Sequence, residues 1–223
     1  MQPALLFDID GTLLHAKGLG RPAFATAFEI AYGIPANFDA VSFVGATDTG
    51  VIRAMAKDIG TYSDAEREER FYIELTKHLE PVLAKGPIHI YPGIPEALAR
   101  LCDEGYLLGT VTGNIRGTAW AKLIHSGLSK YFSFGAYSTD DVDRNNIARI
   151  AAARARTLGA EPITLIGDTP KDIEAAHALG LPALAVASGW IEPDILHAAG
   201  AEAVLPSLAS PDLLSTLRTF AAQ

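Results

Sequence analysis

From Leu107 onward, short apolar β-prone runs alternate with stretches of helical periodicity, and no other feature restricts the fold as much. Such alternation produces βαβ units, whose strands form a parallel sheet buried on both faces beneath helices. Runs at residues 4–7, 107–111, 134–137, 163–166, 183–186 and 203–205 read as strands. Helices are expected from near Ile94, Gly117, Asn146, Lys171, Pro193 and Pro211, several of them closed by a glycine, as at Gly105, Gly127, Gly159 and Gly180. The expected class is α/β.

Residues 14–86 interrupt that pattern. No convincing strand falls there, but Phe24, Ala27, Phe28 and Ala31 recur at helical spacing, as do Ile52, Met55 and Ile59, and then Phe71, Leu75, Leu79 and Val82. Ser63-Asp64-Ala65-Glu66 reads as a capping box at the start of the third helix. The expectation is a helical domain, 14–86, inserted into a core made of 1–13 and 87–223 and rejoined through Tyr91-Pro92-Gly93. Ligands of open α/β sheets bind beyond the carboxyl ends of the strands, so an insertion after the first strand is placed to cover the site as a lid.

That first strand ends in Asp8-Ile9-Asp10-Gly11-Thr12. Side chains at i and i+2 of a strand point the same way, so two carboxylates share one side. Their repulsion requires a cation between them, a shared proton or a division of roles. An Asp-Gly turn accounts for Asp10 but gives no reason for Asp8 in an apolar run. A calcium loop of the EF-hand type would need Gly and Glu where Leu13 and Leu19 stand. The reading that remains is a nucleophilic carboxylate beside an acid/base carboxylate, bridged to a divalent cation.

Other strand ends are polar as well. Thr112-Gly113-Asn114 offers a hydroxyl and backbone amides suited to an anion, and Gly167-Asp168-Thr169-Pro170-Lys171-Asp172 adds two acids at a helix start, where capping alone is a common role for Asp. Four carboxylates at one sheet edge demand positive charge, and hard oxygen donors of this kind suit Mg²⁺. With 18 basic and 26 acidic residues the net charge is −8, which leaves no broad basic face for nucleic acid or anionic membrane. No apolar stretch reaches membrane-spanning length and no charged leader opens the sequence, so the cytoplasm is the expected compartment. The single cysteine, Cys102, falls at an apolar helical position and is expected in the core.

These motifs, in this order, resemble the haloacid dehalogenase superfamily, and within it the phosphoglycolate-phosphatase-like branch with a helical cap. The resemblance spans nearly the whole chain and implies a Rossmann-like core with an inserted cap domain. It implies Asp8 as nucleophile and metal ligand, Asp10 as general acid/base whose carbonyl also meets the metal, Thr112 as phosphate binder with Gly113 and Asn114 beside it, and Asp168 as metal ligand supported by Asp172. The chain departs from the family at the third motif, where 138–146 holds no lysine. Arg144 is the substitute expected to bind the phosphoryl group, against the alternative that it pairs with Asp141 or Asp143 on the surface; Lys171 and Lys130 are weaker candidates. A second departure is Ala46, where many relatives carry Arg. Of the six histidines only His15 is placed to face the cleft, and none is needed for the chemistry. The expected activity is Mg²⁺-dependent hydrolysis of a small phosphorylated metabolite through an aspartyl-phosphate. Phosphoryl transfer by a mutase of the same superfamily, metal-free dehalogenation and a non-catalytic phospho-switch are its rivals.

Overall fold

The computed structural model describes residues 2–16, 18–39 and 41–221. Six parallel strands, β1 (Gln2–Phe7), β4 (Leu107–Val111), β5 (Phe134–Ala136), β6 (Ala160–Gly167), β7 (Ala183–Val186) and β8 (Ala203–Leu205), form one sheet in the order β5-β4-β1-β6-β7-β8. Phe7 lies opposite Thr110 of β4 on one side and Ile166 of β6 on the other. The chain builds outward from β1 to β4 and β5, then crosses back to β6, β7 and β8. Beside β1, where the direction of winding reverses, a doubly wound sheet opens its ligand crevice.

Period-two alternation along β1 divides its side chains between two apolar layers. Leu5 and Phe7 enter a cluster with Ile94 and Leu98 of α4 (Ile94–Asp103), Leu123 of α5 (Arg116–His125) and Leu217 of α9 (Leu213–Ala221). Ala4 and Leu6 enter another with Ile147 and Ala151 of α6 (Arg144–Thr157), Ile173 of α7 (Pro170–His177) and Leu196 of α8 (Pro193–Ala198). Because both faces are covered, these strands read as continuous apolar runs.

The interrupting segment supplies α1 (Gly20–Tyr32), α2 (Asp48–Asp58) and α3 (Ala65–Lys85) around a third cluster that includes Phe24, Phe28, Ile52, Phe71 and Leu75. Ile115 and Ala121, from the sheet side, complete that cluster. Two local details differ from expectation. Leu14–His15 (β2) pairs antiparallel with His89–Ile90 (β3), so the two connections to the insertion form a short ribbon with little strand signal of its own. Asp64, not Ser63, caps α3 by accepting from the Arg67 N–H at 2.9 Å, while Ser63 hydrogen-bonds the Tyr32 hydroxyl. A carboxylate favoured by the helix dipole takes the cap position from the neighbouring hydroxyl.

Cys102 also departs from expectation: it lies in α4, but on its exposed side. No helix among the described residues is long and apolar enough to cross a membrane.

Phe71 is fully buried with its ring 4.8 Å from that of Phe24. Phe71→Ala should therefore lower unfolding free energy by about 3–5 kcal/mol, read as a lower urea midpoint. Cys102→Ser should leave that midpoint in place, and a large shift would return Cys102 to the core.

Candidate active site

Loops leaving four neighbouring strands meet the insertion around a cavity of about 450 Å³. Asp8, Asp10 and Gly11 follow β1, Thr112, Gly113 and Asn114 follow β4, Arg144 opens the helix after β5, and Asp168 and Thr169 follow β6. Phe24, Phe43, Val51 and Leu75 line the opposite wall. Gly11 adopts φ +92° in contact with Asp168, where a Cβ would collide with the carboxylate. Here the glycine serves both the turn and the close approach.

Asp8 is 6% exposed, and its N–H donates to the Ile166 carbonyl at 2.9 Å, which fixes it at the end of the sheet. Its carboxylate lies 3.2 Å from an Arg144 guanidinium nitrogen, and the same arginine pairs with Asp172. Arg144 thus joins neither Asp141 nor Asp143. Asp143 instead caps α6, accepting from the N–H groups of Asn145 and Asn146. The buried Arg144 Nε–H has no hydrogen-bond partner among the described residues, an arrangement that is costly unless a further acceptor reaches it. Lys171 pairs with Glu174 at 2.6 Å in an exposed position, and Lys130 lies over the Tyr131 ring, so neither of the weaker candidates enters the cavity.

Carboxylate oxygens of Asp8, Asp168 and Asp172 all lie within 4.8 Å of one another. Asp168 accepts from the Thr12 hydroxyl at 3.0 Å. Asp172 is the most engaged of the three: it accepts from Arg144 and from both the N–H and the hydroxyl of Thr169, at 3.0 and 2.7 Å. It thereby closes a capping box at the start of α7, so capping and site chemistry coexist in one residue. Burial pushes the Asp8 carboxyl up from 3.8 to about 6, against the pull of Arg144 and with help from Asp172 and Asp10. Burial, with Asp8 and Asp172 nearby, pushes Asp168 to about 8. Burial also works against the charge on Arg144, but Asp172 and Asp8 outweigh it and hold its pKa above the ordinary value. Three crowded carboxylates with a single arginine leave a deficit of positive charge, and their hard oxygens fit a divalent cation.

Asp10 lines the same cavity, but a different cation holds it. Lys122, from the last turn of α5 and 9% exposed, places its ammonium 2.5 Å from Asp10 Oδ2 and 2.7 Å from Asn114 Oδ1. Asn114 Nδ2 donates to Asp10 Oδ2 at 2.7 Å and to Thr112 Oγ1 at 2.8 Å. The Thr112 hydroxyl is an acceptor in that bond and in the one from Asn114 N–H, so its own proton can be donated elsewhere.

Sequence reasoning missed Lys122, because a lysine inside a helix reads as a solvated face. The available signal was Thr118 and Lys122, one turn apart on the side that follows Asn114. It also missed Asp48, a cavity residue whose carboxylate accepts from the Ile115 N–H at 2.9 Å. Burial raises Asp48 to about 6, although Lys122 opposes this. His15 does face the cavity and stacks on His89, with ring centroids 4.9 Å apart.

Comparison with known proteins finds relatives along nearly the whole chain. The family model described as haloacid dehalogenase-like hydrolase matches residues 5–186. A plasmid-encoded phosphoglycolate phosphatase of Cupriavidus necator is 30% identical over 228 residues, covering 96% of this chain and 94% of the relative. A pyrophosphatase of Halalkalibacterium halodurans is 29% identical, covering 94% of each chain. Among solved structures, CbbY from Rhodobacter sphaeroides in complex with phosphate shares the fold at a TM-score of 0.73 and 22% identity, over 98% of this chain and 100% of that one.

The raised acids set a pH dependence of stability. Folded Asp8 and Asp168 keep protons that the unfolded chain has lost, so the stability they contribute is complete below about 3.8 and is lost as pH rises through about 6 and then about 8. In chelator, the melting temperature should fall between pH 4 and pH 8 on this account. Added divalent cation should raise it, and more at pH 8 than at pH 5. An equal rise at both values would remove these carboxylates from the metal site.

Proposed function

The chain belongs to the haloacid dehalogenase-like hydrolase family, and we propose that it is a phosphatase that hydrolyses a small phosphomonoester through a phosphoryl group carried on Asp8. One observation carries the reading. Asp8 is buried at the end of β1, faces the cavity, and sits beside an arginine whose Nε–H is unpartnered among the described residues. A carboxylate held next to a preorganised anion site is poised to attack phosphorus.

In the first step an Asp8 oxygen bonds to phosphorus, the ester P–O bond breaks, and Asp10 gives its proton to the departing oxygen. In the second, Asp10 takes a proton from a water that attacks the same phosphorus, releasing phosphate and restoring Asp8. Arg144, the Thr112 hydroxyl and the Gly113 N–H are the donors for the equatorial oxygens. Mg²⁺ held by Asp8, Asp168 and the Asp10 carbonyl, with Asp172 behind them, would neutralise charge on the phosphoryl group. The helical insertion acts as a cap that excludes bulk water.

Relatives named for phosphoglycolate and pyrophosphate support a small phosphate-bearing substrate. The cap wall that meets the rest of the molecule is largely apolar, with Phe24, Phe43, Val44, Val51 and Leu75 joined by one arginine, Arg21. Arg21 lies 4.5 Å over the Phe38 ring.

Asp8→Asn should abolish phosphate release from p-nitrophenyl phosphate, because an amide cannot form the acyl phosphate. Brief mixing of the wild-type chain with ³²P-labelled substrate and acid quench should trap label on Asp8. Label that passes to an added sugar instead of water would indicate a mutase. Turnover by Asp8→Asn near the wild-type rate would sink the reading. Arg144→Ala should lose at least about a hundredfold in kcat/KM, about 2.7 kcal/mol, with partial recovery in Arg144→Lys. A loss below about threefold would leave Arg144 as a structural ion pair only.

A further inference from the structure

We propose that Lys122, bridged by Asn114, is the residue that positions the Asp10 carboxyl for proton transfer to the leaving oxygen. The inference rests on the phosphatase reading and goes beyond it, because it assigns a second cation with its own task.

Lys122 is buried in the last turn of α5, and an ammonium without a partner is costly to bury. Its partners are Asp10 Oδ2 at 2.5 Å and Asn114 Oδ1 at 2.7 Å. The amide of Asn114 uses both ends: its oxygen accepts from Lys122 while its nitrogen donates to Asp10 Oδ2 and Thr112 Oγ1. Only a side chain with donor and acceptor together can link an ammonium, a carboxylate and a hydroxyl in this way. Both bonds to Asp10 converge on Oδ2, and Oδ1 accepts none among the described residues. The two bonds anchor the carboxyl through Oδ2 and leave Oδ1 as the oxygen through which a proton can pass.

The other cation is separately committed. Arg144 is spent on Asp8 and Asp172, on the nucleophile side of the cavity. Lys122 is ion-paired to Asp10. The site thus divides its positive charge between attack on phosphorus and departure of the alcohol. Lys122 is a positioning residue in this scheme. It acts through Asp10, which in the first step protonates the alkoxide released when the ester P–O bond breaks.

A comparison of leaving groups separates this role from a structural one. An alkoxide must be protonated as it leaves, whereas p-nitrophenolate is stable without a proton, and kcat/KM reports only steps up to loss of the leaving group. Lys122→Met should lose at least about fiftyfold in kcat/KM on glycerol 2-phosphate but less than about fivefold on p-nitrophenyl phosphate, both with saturating Mg²⁺. Lys122→Arg should recover part of the alkyl activity. In an Asp10→Asn background, Lys122→Met should cost little more on either compound, since the residue through which it acts is gone. Thermal melts check that the variants fold. If Lys122→Met does not, Lys122→Arg carries the same comparison with a smaller expected ratio. Equal losses on both substrates, an additive loss in the double variant, or a gain on the alkyl ester would overturn the proposal while leaving the phosphatase reading intact. A wild-type chain that turns over neither compound would overturn both.

Discussion

An excess of buried negative charge at the end of β1 organises the rest of the structure. Asp8, Asp168 and Asp172 bring three carboxylates within 4.8 Å, and one arginine faces them. In a solvated loop such charges would spread apart. Here β1 and β6 are locked in register, with Phe7 opposite Ile166, so the acids that follow those strands are held together by the ladder behind them. Burial first, and the neighbouring carboxylates after it, raise the pKa values of Asp8 and Asp168. A site built this way gains most from a ligand that brings positive charge, and beside it the buried Arg144 Nε–H has no partner among the described residues.

The insertion meets this edge through a short polar seam. The Asp48 N–H donates to the Gly113 carbonyl at 2.7 Å, and the hydroxyls of Thr47 and Thr49 donate to the carbonyls of Val142 and Ser138, each at 2.9 Å. Gly113 admits this approach because a Cβ there would collide with the Ala46 carbonyl. The insertion therefore lies directly against the loop that follows β4. All three donors lie at the start of α2, so this end of the insertion is held by polar bonds and not by apolar packing. Ile115, at the start of α5, and Ala121, within it, add an apolar contact with the insertion's cluster.

Helix α5 therefore has two faces with different duties. Ala119 and Leu123 anchor it to the sheet, Ala121 turns to the insertion, and Lys122 reaches the cavity. Helix α3 of the insertion packs against α5, and Lys122 is buried on α5 while its partner Asp10 is partly exposed.

The sequence by itself determined the strands, most helices and the parallel α/β class, because apolar runs and helical periodicity are local and the doubly covered sheet leaves an unmistakable record of itself. It also determined that Asp8, Asp10, Thr112 and Asp168 stand at strand ends, since position after a strand needs no knowledge of partners. Tertiary structure alone decided which charges meet. Arg144 follows two acids in sequence, and only the packing of α6 beside α7 and β1 turns it away from them to Asp8 and Asp172. Lys122 carries no local sign of the burial and the pairing with Asp10 that the fold gives it, and Cys102 is expected in the core although α4 presents it to solvent. Ion pairing depends on distances between residues far apart in the chain, and periodicity carries no information about those distances.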